Sequence, residues 1–331
     1  MQKIDFVILW VDGADINWLN EKKEYDKSIV DASSCAARYR DWNNLQYWFR
    51  GVEKFAPWVN SIFFITWGHL PKWLNTAHPK LKIINHRDFI PEKYLPTFNS
   101  NAIELNLHRI PELSENFVLF NDDTFLIDTV QTTDFFIDGK PCDEFVMNAI
   151  TPSYSMPIIG HTIVNNVSII NRYFRKKQVL KNQFAKVYNF KYRAGIFRNV
   201  VLGVWPVFTG FYNSHLPLAH LKSTFKTLWE KEPEMLDETS ANKFRTYKDL
   251  NHWLMRYWNL CSGDFVPRKA HFGKMFTVSD DNQLLVEYIT KQSSKMICVN
   301  DSSQSFDFVK TAEQVNKALD HILPSKSEYE I

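Results

Sequence analysis

Two adjacent carboxylates, Asp122 and Asp123, directly follow the apolar run Phe117-Val-Leu-Phe and Asn121. A continuous apolar run is typical of a buried strand in a mostly parallel sheet. Open α/β sheets bind ligands beyond the carboxyl ends of their strands, so we expect both carboxylates at a ligand-binding edge. Close carboxylates repel each other, and Mg²⁺ is commonly held by one or two of them together with substrate phosphates. The pair therefore predicts a site for Mg²⁺ or Mn²⁺ beside a diphosphate, while a simple turn role at the strand end stays open.

Two further groups of polar residues lie near the first predicted elements. Asp12, in Trp10-Val-Asp-Gly13, follows the first strand and could bind a ribose hydroxyl or a base edge, or serve only as an Asp-Gly turn residue. Arg38, Arg40 and Asp41 precede the first amphipathic helix. Arginine suits a diphosphate because its planar fork makes two parallel hydrogen bonds, although a surface ion pair is the alternative.

A loop-to-helix junction at Asn101 offers another anion site. Glu104 follows Asn101 at the spacing of a capping box, and the free amides of a helix N-terminus bind anions. Glu104 and His108 share one helical face at i and i+4, which suits a metal pair or a structural hydrogen bond.

His215 and Arg245 are the candidates from the second half of the chain. His215 lies in a segment poor in polar groups, where it could be a general base, a phosphate donor or a satisfied core histidine. Arg245, between Lys243 and Lys248, could contact a phosphate or belong to a solvated basic face.

The composition narrows the class of protein. The chain has 331 residues, 45% of them hydrophobic, which allows one large domain or two ordinary ones. Glycine is scarce, and neither G-x-G-x-x-G nor a P-loop motif is present. The net charge of +2 gives no sign of nucleic-acid binding, and we expect no nucleic-acid partner. The four cysteines form no C-x-x-C pair and are expected to be reduced and mostly buried. The apolar run Phe6 to Trp10 is too short for a secretory signal. Both observations lead us to expect a cytoplasmic protein.

Alternation of predicted strands and helices indicates βαβ units with a mostly parallel sheet and helices on both faces. Strands are expected at 4–10, 61–66, 81–84, 117–120 and 296–299, and helices at 43–56, from 101, and at 221–231 and 247–260. The fold class is therefore α/β, Rossmann-like, with a largely helical C-terminal half. The α/β part is expected to span residues 1–130, residues 131–331 are expected to pack on it, and the polar tail 325–331 is expected to fray.

The window from Phe145 to Trp229 contains no acidic residue but many basic ones. An apolar, aromatic stretch follows the basic one, and Pro206 and Gly210 argue against a spanning helix there. Residues 172–221 are therefore expected to contact an anionic membrane surface peripherally, with a polyanionic substrate or a solvated helix face as alternatives.

Together these segments resemble the Stealth family of sugar-1-phosphate transferases. Four blocks carry the resemblance: Ile4 to Asp15, Arg38 to Leu126, His215 to Leu260, and Ile297 to Asp301. The second block is the most specific, and it contains the sequence motifs Leu95-Pro-Thr-Phe-Asn-Ser, Leu107-His-Arg-Ile and Phe120-Asn-Asp-Asp. The family includes bacterial capsule and cell-wall polysaccharide enzymes and the animal enzyme of the mannose-6-phosphate tag.

The resemblance implies a nucleotide-sugar-binding fold of the GT-A type and transfer of a sugar together with its phosphate. Residues 1–130 would bind nucleotide-sugar and metal, and the basic and aromatic insertion and helical acceptor-side part, residues 131–331, would complete the same catalytic domain. The donor would be a UDP-sugar, the acceptor a glycan or lipid-linked oligosaccharide, and the product a phosphodiester with release of UMP. It implies metal binding by Asp122 and Asp123, and catalytic roles for Asp12, Asp123, His215 as general base and Arg245 on the phosphate oxygens. The substrate-binding set would comprise Arg38, Asp41, Asn101, Glu104, His108, Arg109, Asn121, Asn300 and Asp301.

Two alternatives to this reading stay open. The first is an ordinary metal-dependent glycosyltransferase that releases UDP, and the second is a non-enzymatic module that binds teichoic-acid-like polymers. One departure from the family pattern is Trp67-Gly68-His69, where many relatives have Asp or Asn followed by Gly-Gln, so the sugar specificity cannot be carried over. The chain also lacks the large insertions of the animal enzyme, which suggests a compact bacterial polysaccharide enzyme.

Overall fold

The computed structural model describes residues 2–26, 40–151, 157–301 and 306–331. Its strands are β1 (Ile4–Leu9), β2 (Ile62–Thr66), β3 (Leu81–Asn85), β4 (Asn116–Phe120), β5 (Thr124–Leu126), β6 (Phe136–Ile137), β7 (Lys140–Asp143), β8 (Leu218–Leu221), β9 (Val266–Pro267), β10 (Gly273–Thr277) and β11 (Met296–Asn300). Its α-helices are α1 (Ile16–Tyr25), α2 (Leu45–Phe55), α3 (His86–Phe89), α4 (Ser100–Asn106), α5 (Thr132–Phe135), α6 (Pro157–Tyr173), α7 (Lys176–Asn182), α8 (Phe184–Val187), α9 (Gly195–Gly203), α10 (Lys222–Lys231), α11 (Pro233–Ala241), α12 (Trp253–Ser262), α13 (Gln283–Thr290) and α14 (Phe308–Ile322). Short 3₁₀ turns lie at Glu92–Tyr94, Leu107–Arg109 and Phe190–Tyr192.

The central sheet has five strands in the order β3-β2-β1-β4-β8. The first four run parallel, and β8 pairs antiparallel with β4. Two three-stranded sheets, β10-β11-β5 and β6-β7-β9, lie beside it. The predicted α/β class with a mostly parallel sheet is confirmed. Strands of the second half extend sheets that the first half begins, since β8 joins β4 and β11 joins β5.

Both faces of the central sheet are covered, which explains why its strands are apolar without alternation. Phe6 and Ile8 of β1 point into one core with α2 and α14, whereas Val7 points into a second core. That second core also takes in the apolar sides of α4, α6, α10 and α12. The predicted placement of helices on both faces is confirmed.

Two predicted helix starts differ from the structure. The helix expected from Tyr247 begins only at Trp253, because Thr246 and Asn242 both donate hydrogen bonds to Asp249 and hold the preceding residues in a turn. The helix expected from Asn101 begins at Ser100 with Asn99 as its cap, whose side chain accepts from the Asn101 amide at 3.1 Å. Glu104 is therefore a buried residue of the helix interior and does not form a capping box.

The tail 325–331 does not fray, contrary to the prediction. The buried Tyr329 ring packs against Phe49 and His78 at centroid distances of 5.3 and 4.0 Å. Glu330 accepts two hydrogen bonds from Arg50, each of 2.8 Å. An aromatic anchor followed by a carboxylate that pairs with a helix arginine is a docking signal that the polar composition of the tail concealed.

Across the described ranges, no helix is both long and apolar enough to cross a membrane.

The tail anchor predicts a stability effect. Tyr329→Ala should lower the free energy of unfolding by about 3 kcal/mol, because a large buried ring is replaced by a cavity. Urea denaturation monitored by tryptophan fluorescence measures this. Ile331→Ala is the matched control, since that side chain is 71% exposed and its loss should change stability by less than about 0.5 kcal/mol. Equal, small effects for both variants would show that the tail does not contribute to the core.

Candidate functional site

The carboxyl ends of four parallel strands meet at one edge of the central sheet. β4 ends at Phe120, and the turn Asn121 to Asp123 leads into β5. β5 pairs antiparallel with β11, and the Val299 amide donates to the Asp123 carbonyl at 2.8 Å. This ladder brings the end of β11 beside the two carboxylates, so the fourth sequence block lies against the second.

Asp123, His215 and Cys298 form the centre of the site. One ligand atom from each lies within 4.8 Å of the other two. The Cys298 thiol donates to Asp123 Oδ2 at 3.3 Å. Burial, and then the charge of Asp123, raise the pKa of Cys298, so the sulfur keeps its proton and orients the carboxylate. Asp123 Oδ1 is buried and accepts no hydrogen bond, which leaves this oxygen for a ligand.

His215 lies in an unusual backbone conformation. Its φ of 54° is in the left-handed region, which residues with a side chain adopt at a cost of about 1–3 kcal/mol. The ring packs edge-to-face on Trp253 of α12 at 6.1 Å, and its Nδ1 is buried without a hydrogen-bond partner. The conformation aims the ring at Asp123, whose own pKa is raised by burial and lowered in part by the charge of His215.

A second concentration of negative charge surrounds Asp122. The Asp122 side chain is exposed to solvent on one side. Desolvation by neighbouring protein atoms, then the charge of Asp123, and more weakly that of Asp41, raise the pKa of Asp122 to about 7. Arg40 stands at the rim with Nη1 3.6 Å from Asp301 Oδ2. Where the second and fourth sequence blocks meet, acidic side chains therefore outnumber basic ones.

These residues suit a divalent cation of the hard, oxygen-binding kind. Asp122 and the unpartnered Oδ1 of Asp123 supply oxygens, and Mg²⁺ or Mn²⁺ would complete its shell with phosphate and water. Zinc would favour the combination of His215, Cys298 and Asp123, which offers nitrogen, sulfur and oxygen atoms. Mg²⁺ and Mn²⁺ prefer oxygen ligands, so the carboxylates of Asp122 and Asp123 fit the predicted metal.

Behind the centre lies a buried polar array that reaches Arg245. His252 Nδ1 is 3.0 Å from His220 Nε2, and His252 Nε2 is 3.9 Å from Glu104 Oε2. Burial raises the pKa of Glu104 to about 7, although the charge of Arg245 opposes this. Burial lowers the pKa of His220 to about 3 and that of His252 as well. Arg245 donates to Ser100 at the start of α4.

Three predicted residues of α4 and the following 3₁₀ turn have other partners. The side-chain amide of Asn101 donates a hydrogen bond to the buried Asp249 at 3.1 Å. His108 and Arg109 pack on Trp229 of α10, with Arg109 4.7 Å from the ring centroid. The helix gives way to a 3₁₀ turn after Asn106, so His108 does not meet Glu104 as the i, i+4 spacing predicted. A helix that starts at the carboxyl edge of a parallel sheet runs toward the opposite edge, which is why its end leaves the site.

The first strand contributes a separate loop. The Asp12 amide donates to His69 Nε2 at 2.7 Å, and His69 Nδ1 faces Asp15 at 3.4 Å. Asp12 Oδ1 accepts a hydrogen bond from the Ala14 amide, so the turn role stays open. The second carboxylate oxygen of Asp12 takes no part in this bond, so a role in ligand binding stays open as well. His69, the residue that departs from the family pattern, therefore links the loops after β1 and β2. Asn121 and Asn300 lie partly buried at the ends of β4 and β11, and Arg38 falls outside the described residues.

A cleft of about 490 Å³ opens at the ends of β2 and β3. Its walls combine aromatic, aliphatic and polar side chains from Trp67, His86, Arg87, Leu95 and Thr97. Its volume lies in the range of small-molecule sites, and it adjoins the edge where α/β sheets bind ligands.

Sequence reasoning missed Cys298, His220 and His252. The signal for Cys298 was present, since it stands two positions before Asn300 on a strand and must share its side. No local signal marked the two histidines, because their contact joins β8 to the start of α12.

Sequence comparison finds two conserved regions in this chain. Residues 2–30 match Stealth protein CR1, conserved region 1, and residues 38–143 match Stealth protein CR2, conserved region 2. Among solved structures, the galactosyltransferase LgtC in complex with donor and acceptor sugar analogues overlaps 98% of each chain, at 11% identity and a TM-score of 0.39.

Several relatives align over essentially the whole chain. A capsular polysaccharide phosphotransferase WcwK of Streptococcus pneumoniae is 44% identical over 334 residues, covering 100% of this chain and 98% of its own. A receptor polysaccharide phosphotransferase WefC of Streptococcus gordonii is 39% identical, with 100% of both chains covered. The exopolysaccharide phosphotransferase cps2G of Lactiplantibacillus plantarum is 40% identical, over 99% of this chain and 96% of its own. Full-length similarity at this level, together with the two matched regions, shows that the chain belongs to the Stealth family.

Proposed function

We propose that this enzyme transfers a hexose-1-phosphate, from N-acetylhexosamine or hexose, from a UDP-sugar to a hydroxyl of a surface glycan. The acceptor is a glycan or lipid-linked oligosaccharide, the product is a phosphodiester, and UMP leaves. The observation that carries the proposal is the meeting of Asp123 and His215 at the carboxyl edge of the sheet, in a chain whose full-length relatives are named polysaccharide phosphotransferases.

Attack on phosphorus is supported by the relatives, which are named polysaccharide phosphotransferases. A ring nitrogen of His215 takes the proton of the acceptor hydroxyl as its oxygen bonds to the β-phosphorus. The bond from that phosphorus to the bridging oxygen breaks, and the bridging oxygen leaves with UMP. Phosphoryl transfer depends mainly on positioning and on charge neutralisation. His215 would position the acceptor hydroxyl, and a cation held by the carboxylates, together with Arg245, would neutralise the phosphate charge.

The carboxylates Asp122 and Asp123 would hold Mg²⁺ or Mn²⁺, which neutralises charge on the diphosphate when bound. Cys298 holds one oxygen of Asp123 and leaves the other for the cation. Arg245 would supply a fixed positive charge for the phosphate oxygens. Its orientation is supported by Ser100 and by the charge of Glu104.

The position of a phosphate label distinguishes this reaction from ordinary glycosyl transfer. With UDP-sugar labelled in the β-phosphate, purified enzyme, Mg²⁺ and acceptor glycan, we expect the label in the acceptor and unlabelled UMP in solution. Label retained in released UDP would support a glycosyltransferase instead. Tight binding of a teichoic-acid-like polymer without turnover of any UDP-sugar would support a binding module.

The role of His215 is tested by His215→Gln. Loss of the general base should lower kcat by about 10²–10⁴-fold, with a smaller change in the KM for the donor, because the base acts in the transition state. His161→Gln is the matched control, since His161 is an exposed residue of α6 that packs edge-to-face on Tyr247. A His215→Gln enzyme with wild-type kcat and an unchanged pH profile would contradict the assignment.

A further inference from the structure

Helix α9 is apolar on its outer side as well as on its inner side. Its inward side carries the fully buried Asn199 together with the partly buried Ile196 and Leu202. Its outward side carries Phe197, Val200 and Val201, all exposed, and the exposed Val204 follows directly after the helix. A surface helix of a globular protein normally turns its apolar stripe inward. Phe197 is 71% exposed and Val204 79% exposed, so the apolar stripe of α9 has no partner within the described chain.

The buried asparagine fixes this orientation. Asn199 Oδ1 accepts from the Met147 amide at 2.7 Å, and Nδ2 donates to the carbonyls of Phe145 and Val187, both at 2.7 Å. A rotation that buried the apolar stripe would break all three hydrogen bonds and leave buried polar groups unpaired. The exposed face of α9 is therefore held in place by specific contacts.

The turn after α9 is held in a similar way. The buried Lys176 ammonium donates to the carbonyls of Leu202, Trp205 and Val207. These bonds satisfy backbone carbonyls at and beyond the C-terminal end of the helix. The side chains of Val204, Trp205 and Val207 are exposed to solvent, Trp205 by 50%.

Neighbouring elements enlarge the apolar surface. α8 lies beside α9, because Tyr188 contacts the Phe184 ring at 4.8 Å and its hydroxyl lies near Gly203. Phe184 is exposed, and Phe190 in the connecting turn is 91% exposed. We call the following set the α9 patch: Phe184, Phe190, Phe197, Val200, Val201, Val204, Trp205 and Val207. Exposed contiguous apolar surfaces of this kind mark interaction sites.

The charge around the α9 patch indicates the occupant. Arg175, Lys177, Lys181 and Arg193 are exposed on the flanking elements, and no acidic residue occurs between Phe145 and Trp229. A groove of about 670 Å³ next to α8 contains Arg175 and Lys186 and no carboxylate in its lining. Apolar and aromatic side chains ringed by cations are typical of segments that lie in the interface of an anionic bilayer.

We propose that the α9 patch docks this enzyme on the surface of an anionic lipid bilayer, with α9 lying in the membrane plane. A helix of nine residues is far too short to span the hydrocarbon core, so its apolar side enters only the interfacial layer. His215 follows the patch in the same loop, between α9 and β8, so docking would place the reacting edge near a lipid-linked acceptor. Membrane docking itself does not depend on which bond the enzyme breaks.

Vesicle co-sedimentation tests the docking. The wild-type protein should sediment with vesicles of phosphatidylcholine and phosphatidylglycerol, bind vesicles of phosphatidylcholine alone more weakly, and lose binding as salt rises. Phe197→Ser combined with Val204→Ser should lower the partition coefficient at least about tenfold, because two apolar side chains no longer enter the interface. Both positions are exposed, so the fold and the turnover of a water-soluble acceptor should be unchanged.

The matched control is Leu284→Ser combined with Val309→Ser, which changes two largely exposed apolar residues on α13 and α14. This variant should bind vesicles like the wild type. The proposal is overturned if the wild type does not bind anionic vesicles, or if the α9 variant binds as well as the control. Sedimentation velocity adds one outcome: a wild-type dimer that the α9 variant abolishes, without vesicle binding, would assign the patch to a second copy of the chain.

Discussion

The structure depends most on the accumulation of negative charge at the end of β4. Asp122 and Asp123 are adjacent in sequence, Asp41 adds to their field, and desolvation raises the pKa of both. Repulsion of this kind costs stability unless a cation relieves it, and perturbed carboxylates in a cleft are typical of functional sites. The fold tolerates the repulsion because β4 is buried on both faces and anchored between β1 and β8. The sheet thus supplies the rigidity that two repelling carboxylates require.

The second half of the chain supplies what the carboxylates lack. β11 places Cys298 against Asp123, and the loop before β8 places His215 beside both. The start of α12 positions His252 between Glu104 and His220. An acidic edge alone could only hold a cation. The additional base and the neutral histidines behind it make proton transfer at the same edge chemically reasonable.

The sequence predicted the parallel sheet, because continuous apolar runs such as Phe117 to Phe120 leave few alternatives to a doubly covered strand. It also singled out Asp123, His215 and Asp301, which the fold brings to the same edge, although their chemical roles stay predictions. It failed where contacts depend on geometry that spacing does not encode. The helix after Asn99 ends at Asn106, so His108 leaves Glu104, and the contact between His220 and His252 joins distant elements. The polar tail docks through Tyr329 and Glu330, and α9 exposes Phe197 and Val200 although its buried Asn199 is polar.

Binding of Mn²⁺ in the presence of UDP-sugar, measured by electron paramagnetic resonance, tests the metal-binding account of this edge most directly. The wild type should bind Mn²⁺, and Asp123→Asn should weaken its affinity at least about tenfold because a ligand oxygen loses its charge. Asp128→Asn, at the far end of β5 where Asp128 pairs with Lys295 at 2.6 Å, should bind like the wild type. Wild-type affinity in the Asp123→Asn variant would contradict the account, because Asp123 would then not be a ligand of the cation.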